Sequence, residues 1–196
     1  MANATEVIET RPSRKNYLPA DGSMWVFVLG DLVIFGGYFL IFMVYRNQEH
    51  QLFLEAQRHL SLTIGTVNTL LLLTSSWFVA NGVLATRAGK YRRALSLTLW
   101  GGACGVLFAL VKAYEWSSKI NAGLTFPHND FYMFYYMLTG IHLFHVLLGL
   151  VFLGVVVAEL RNPRKRRPAM VETGATYWHM VDLLWIVIFA LLYVMR

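Results

Sequence analysis

Charge and cysteine are what this sequence has least of. Only 14% of its 196 residues are Asp, Glu, Lys or Arg, against about a quarter in soluble domains. The single cysteine, Cys104, excludes a disulfide framework and a cysteine-built zinc or iron–sulfur site, and it reads as a small packing residue. A phosphate-cradling glycine loop and a nucleophile–base pair are both lacking. Runs of alternating polarity are lacking too, which sets aside a β-barrel, and the lack of an internal repeat argues against a transporter made of paired halves. The first 23 residues carry Arg11, Arg14 and Lys15 but no apolar run of the kind a cleaved signal peptide needs. The first apolar helix is therefore expected to act as an uncleaved signal-anchor.

Long apolar blocks are what the sequence does have. Hydrophobic residues make up 57% of the chain, and segments 60–86, 94–111 and 131–158 contain no Asp, Glu, Lys or Arg. Segment 24–45 has one carboxylate, Asp31, and segment 177–195 has one, Asp182. About 20 apolar residues suffice to cross a hydrocarbon core of roughly 30 Å. The sequence therefore predicts an all-α membrane protein. A polar tail (1–23) precedes one membrane domain (24–196) of five transmembrane helices at about 24–45, 60–86, 93–116, 131–159 and 177–195. Short connections favour antiparallel neighbours in an up-down bundle.

The basic residues orient the bundle. Arg11, Arg14 and Lys15, then Arg87, Lys90, Arg92 and Arg93, then Arg161, Arg164, Lys165, Arg166 and Arg167 fall on one side; Arg46, Arg58, Lys119 and Arg196 fall on the other. That bias predicts a cytoplasmic N-terminus and a periplasmic C-terminus in a bacterial inner membrane. The same loops explain the pI near 9.6; they suit anionic lipid headgroups, and a dedicated nucleic-acid site is not expected.

Ionisable groups within the spans are costly, so each is a site hypothesis. Asp31 lies about two turns into the first span. Lys112 and Glu115 share a face of the third, and His142 and His145 share a face of the fourth. His179 and Asp182 repeat that spacing on the fifth. Helix 2 adds Asn68, Thr69, Thr74, Ser75 and Ser76, able to bond across helices. Gly101, Gly105 and Ala109 form a small-residue ridge on helix 3 that admits a neighbouring backbone. Hydrogen bonding between helices, with histidine and carboxylate satisfying each other, is the expected role of these groups, and no metal site is expected. Ligation needs several donors at one depth, whereas Asp31 and Glu115 lie toward opposite surfaces, and His142 and His179 differ in depth. For Asp31, a place in a proton relay and a packed or paired acid are both open.

The motifs carry a resemblance. Residues 139–149 read TGIHLFHVLLG, which resembles the G-x-H-x-x-H-V-x-x-G segment of cytochrome c oxidase subunit III, in the haem–copper oxidase superfamily. Residues 177–185 read YWHMVDLLW, similar to that family's Y-W-H-x-x-D-x-x-W. Asn68-Thr69 with Leu72-Leu73 and Ser75-Ser76 matches N-T-x-x-L-L-x-S-S. Glu115 stands where the family places a glutamate before an aromatic, Glu172 matches a family glutamate, and Asp31 stands where the family carries a carbodiimide-reactive buried acid. The resemblance covers about residue 24 to the end.

Its implications are expectations: a subunit with no redox cofactor of its own, bound to a catalytic haem-containing membrane subunit, with bound phospholipid at the interface. Two helices with which seven-helix members begin are missing, and they form one wall of the family's lipid cleft. A family arginine that contacts lipid falls near Glu159, leaving Arg161 as the candidate headgroup contact. The short chain, the aromatic run 131–136 and segment 177–193 look most like the NorE-type protein associated with nitric oxide reductase in denitrification. The alternative is subunit III of a quinol or cytochrome c terminal oxidase in aerobic respiration.

Overall fold

The computed structural model describes residues 22–126, 128–162 and 167–195. Arg11, Arg14, Lys15, Arg164, Lys165, Arg166 and Arg196 lie outside the described residues. Among those described there are six helices: α1 (Gly22–Gln48), α2 (His50–Arg58), α3 (Leu62–Arg87), α4 (Tyr91–Asn121), α5 (Asp130–Arg161) and α6 (Pro168–Phe189). A π-helical turn, Ala190–Val194, continues α6. Five of these segments are long and apolar enough to cross a membrane, and the protein is a multi-pass membrane protein.

Local chemistry sets the helix ends. The Ser61 hydroxyl accepts from the Ile64 amide at the start of α3, and the Asn129 side chain accepts from the Tyr132 amide at 3.0 Å at the start of α5. Each fills an otherwise orphaned N-terminal donor. α3 ends at Gly89, whose φ of 72° suits a residue without a Cβ. The Lys90 amide then reaches the Ala85 carbonyl at 2.9 Å, and α4 begins at once.

α3, α4, α5 and α6 form a closed ring in which each packs on the next and α6 returns to α3. α1 lies outside the ring, against α5 and α6. Its buried residues are Val28, Phe35 and Phe42, one every seven positions, so it offers the ring a single narrow seam. Phe42 is edge-on to both Phe53 and Phe134 in that seam, at 5.5 and 5.7 Å.

Apolar burial does not drive helix association in lipid; close packing and polar bonds do. Gly101 brings α4 against α3, since a Cβ there would sit 2.8 Å from Val79 and 3.3 Å from the Ser75 carbonyl. Gly105 does something other than the backbone contact expected of its ridge. With Gly149 on α5 it makes the slot that holds the Trp178 indole, which a Cβ at either position would approach to within 2.8 Å.

Two features depart from the sequence reading. The fifth spanning helix begins at Pro168 rather than 177: proline is well placed at a first helical position, where its missing N–H costs nothing, and in the segment that follows Glu172 pairs with Arg87 on α3 at 2.8 Å. The connection after α1 contains α2, a short amphipathic helix burying Phe53, Ala56 and Gln57. Gln57 donates to the Leu191 and Leu192 carbonyls at 3.1 and 3.3 Å, within the π turn. Arg46 donates to the Met195 carbonyl at 3.0 Å, so the end of α6 is tied down by two other elements.

Candidate functional site

The ionisable groups of the spans occupy three polar seams. The first joins α1 to the ring. His145 Nδ1 is 2.8 Å from the Ile141 carbonyl; a carbonyl only accepts, so Nδ1 carries a proton. Nε2 then faces Asp31 Oδ2 at 3.3 Å. For that approach to be attractive one proton must be shared, either as imidazolium and carboxylate or as imidazole and carboxylic acid. Both side chains are mostly enclosed, and the Phe35 ring stands edge-on to the imidazole at 5.5 Å.

The second seam is closed on itself. Lys112 and Glu115 are fully buried and paired at 2.9 Å. An ammonium has three protons to donate, and all three are used: to Glu115 Oε2, to the Tyr193 hydroxyl at 2.8 Å and to the Tyr135 hydroxyl at 3.3 Å. Tyr193 in turn donates to Glu115 Oε1 at 2.7 Å. The Tyr135, Trp185 and Tyr193 rings surround the charge at 4.7, 5.2 and 5.4 Å, in cation–π range. The cluster therefore links α4, α5 and the π turn.

His142 is fully buried beside this cluster, with Phe108 edge-on at 5.8 Å and Trp185 inclined at 5.2 Å. Neither ring nitrogen makes a hydrogen bond among the described residues, and both side-chain atoms of the buried Asn68 share that condition.

The third seam joins α3 to α6. Trp178 donates its indole proton to the Ser75 hydroxyl at 3.0 Å, and Ser75 donates to the Gly101 carbonyl at 2.7 Å. Trp185 donates to Thr69 at 3.0 Å. Ser76 and His179 Nδ1 are 2.7 Å apart, with Asp182 Oδ2 at 4.0 Å from the same nitrogen. Asp182 is buried, whereas the His179 side chain is 39% exposed. Thr74, grouped with these residues on sequence grounds, is exposed.

Of the pairs expected to share a face, Lys112 and Glu115 meet at 2.9 Å, whereas the two pairs that contain histidine diverge in direction. His142 points into the ring and His145 toward α1; Asp182 points inward and His179 outward. Among the described residues no three His, Cys, Asp or Glu side chains converge as a metal-holding set. Glu172 is engaged by Arg87 at one end of the bundle, and Arg161 is exposed in the last turn of α5. Gln57 was not singled out by sequence reasoning, and Tyr135 and Tyr193 entered it only within aromatic family segments, not as partners of Lys112. Their partners lie on other helices, and no spacing along the chain signals them.

The family model for cytochrome c oxidase subunit III matches residues 22–196. The chain belongs to that family. A cytochrome c oxidase subunit 3 of Thermostichus vulcanus is 31% identical over 173 residues, covering 87% of this chain and 84% of the relative. One from Synechocystis is 32% identical over 176 residues, covering 87% and 73%. The heme-copper oxidase subunit I+III of Aeropyrum pernix is 29% identical over 180 residues, covering 87% of this chain and 22% of that protein. As a subunit III family member, the chain has the two motif helices as α5 and α6. Their histidines serve three environments: the α1 seam, the ring interior and the outer surface.

Proposed function

We propose that this chain is the non-catalytic subunit III of a terminal oxidase, held against a haem-bearing subunit I and carrying no redox centre of its own. The observation that carries this reading is the Aeropyrum pernix relative, named as subunits I and III together. The fully used donors of Lys112 and Tyr193 support it: these groups are spent on joining helices. The approach of Asp31 to His145 at 3.3 Å between two helices supports a role for the α1 seam in proton uptake by the complex. Exposed Arg161, Lys90 and Arg93 suit phospholipid headgroups at the end that the charge bias assigns to the cytoplasm.

The second reading is the nitric oxide reductase-associated subunit, favoured by the 131–136 aromatic run. The relatives named above carry oxidase names instead, which is why the terminal oxidase stands first. Purification of the tagged chain from native membranes in mild detergent, with a reduced-minus-oxidised spectrum, tests both. Retention of a haem and copper complex that consumes oxygen is expected. A haem complex that consumes nitric oxide would replace the first reading with the second, and a colourless chain alone would overturn both.

A further inference from the structure

The outer surface of α6 carries a polar group where hydrocarbon should be. His179 lies about 16 Å along the helix from Pro168 at roughly 1.5 Å per residue, near the middle of the span. Its Nδ1 is engaged by Ser76, and that bond turns Nε2 outward. Among the described residues Nε2 makes no hydrogen bond, and the side chain is 39% exposed. Leaving an imidazole nitrogen bare in lipid is costly, and intramembrane ionisable residues ordinarily face protein or a water-filled cavity. A phospholipid does not resolve this, because its ester and phosphate oxygens sit at the interface and its tails have nothing to donate or accept.

The surroundings have the shape of a helix-packing surface. Glu172, Thr176, His179 and Leu183 follow one another at three- and four-residue steps, forming a ridge on α6. A groove of about 320 Å³ runs along one flank, between α3 and α6, lined by Val83, Leu84 and Ala175 among others. A second of about 330 Å³ runs along the other, between α1 and α6, lined by Val28, Leu32 and Met180 among others. Thr176 and His179 border both. A ridge between two parallel grooves is what a neighbouring helix seats on. A single acyl chain or a flat ring would fill one groove and leave the other.

We infer that the α6 ridge at Thr176, His179 and Leu183, with its two flanking grooves, is the docking surface for a transmembrane helix of the haem-bearing subunit, which presents a hydrogen-bonding group to His179 Nε2 at mid-membrane depth. This inference rests on the partnership proposed above and adds where the partner sits.

The test places a photo-cross-linking amino acid at Leu183, which is 50% exposed, or at Val151 on α5, which is 62% exposed, in the full-length chain in native membranes. An adduct with the haem-bearing subunit from Leu183 and none from Val151 is expected. An adduct from Val151 alone, or only lipid adducts from Leu183 while the complex still co-purifies, overturns the surface and leaves the partnership standing. Failure of any large subunit to co-purify with the unsubstituted chain overturns both. In parallel, His179→Phe is expected to lower retention of the partner about three- to tenfold, the scale of one hydrogen bond between helices in lipid. His179→Gln, which keeps a donor and an acceptor, is expected to restore most of it. Equal retention in both variants would contradict the hydrogen bond.

Discussion

His145 Nε2 stands 3.3 Å from Asp31 Oδ2, a polar approach in a seam whose buried α1 residues are Val28, Phe35 and Phe42. A polar group set among apolar seam residues fixes register, so this pair determines where along α5 the outlying α1 comes to rest. Asp31→Asn keeps an amide able to donate to Nε2, so α1 is expected to stay docked and the complex to assemble. Turnover-linked proton uptake is expected to slow. Asp31→Leu strands the imidazole at a cost of about 1–3 kcal/mol, and loss of complex is expected. Stopped-flow proton uptake on the purified variants checks this, and unchanged kinetics in Asp31→Asn would leave the pair a packing element only.

The Lys112–Glu115 pair predicts an inverted order of damage. Removing one member of a buried pair leaves a stranded charge, at a cost of about 3–5 kcal/mol, whereas replacing both by apolar residues is often neutral. Lys112→Met alone is therefore expected to lower thermal stability in detergent more than Lys112→Met with Glu115→Leu. A double variant as unstable as the sum of the single ones would show that the charges contribute more than their pairing.

The Trp178 slot is expected to tolerate no added methyl. Gly149→Ala or Gly105→Ala drives a Cβ to within 2.8 Å of a rigid indole, and such overpacking costs about 1–3 kcal/mol. Gly102→Ala on the same helix meets nothing within 4 Å and serves as the control. Thermal unfolding in detergent followed by circular dichroism separates them.

Gln57 predicts a local effect. Gln57→Leu removes both donations to the π-turn carbonyls and is expected to raise amide exchange at the end of α6 while leaving α3 and α4 protected. Exchange raised throughout the bundle would mean that α2 supports the whole fold.

Much of this architecture was legible in the sequence because lipid makes the reading simple: long uncharged blocks become helices, and a charge within one must find a partner. Asp31, His145, Lys112 and Glu115 could each be marked as costly from their positions alone. The partners could not. Tyr193 meets Lys112 from the far side of two intervening helices, α5 and α6, and a π turn that composition does not announce brings it there. The helical start at Pro168 was missed because Glu172 and Thr176 look like loop residues until Arg87 is seen beside them. A three-residue spacing places His142 and His145 on one face of a helix, yet the angle between them is enough to send one inward and the next toward a different neighbour.

The central claim is that the chain supports a haem-bearing partner without holding haem or copper itself. The most direct measurement is to purify the complex, separate the two chains under conditions that retain bound haem, and record absorbance and metal content for each. All haem and copper are expected to stay with the large subunit, and this chain is expected to be colourless. A stoichiometric Soret band on the separated chain, lost in His142→Leu, would contradict it.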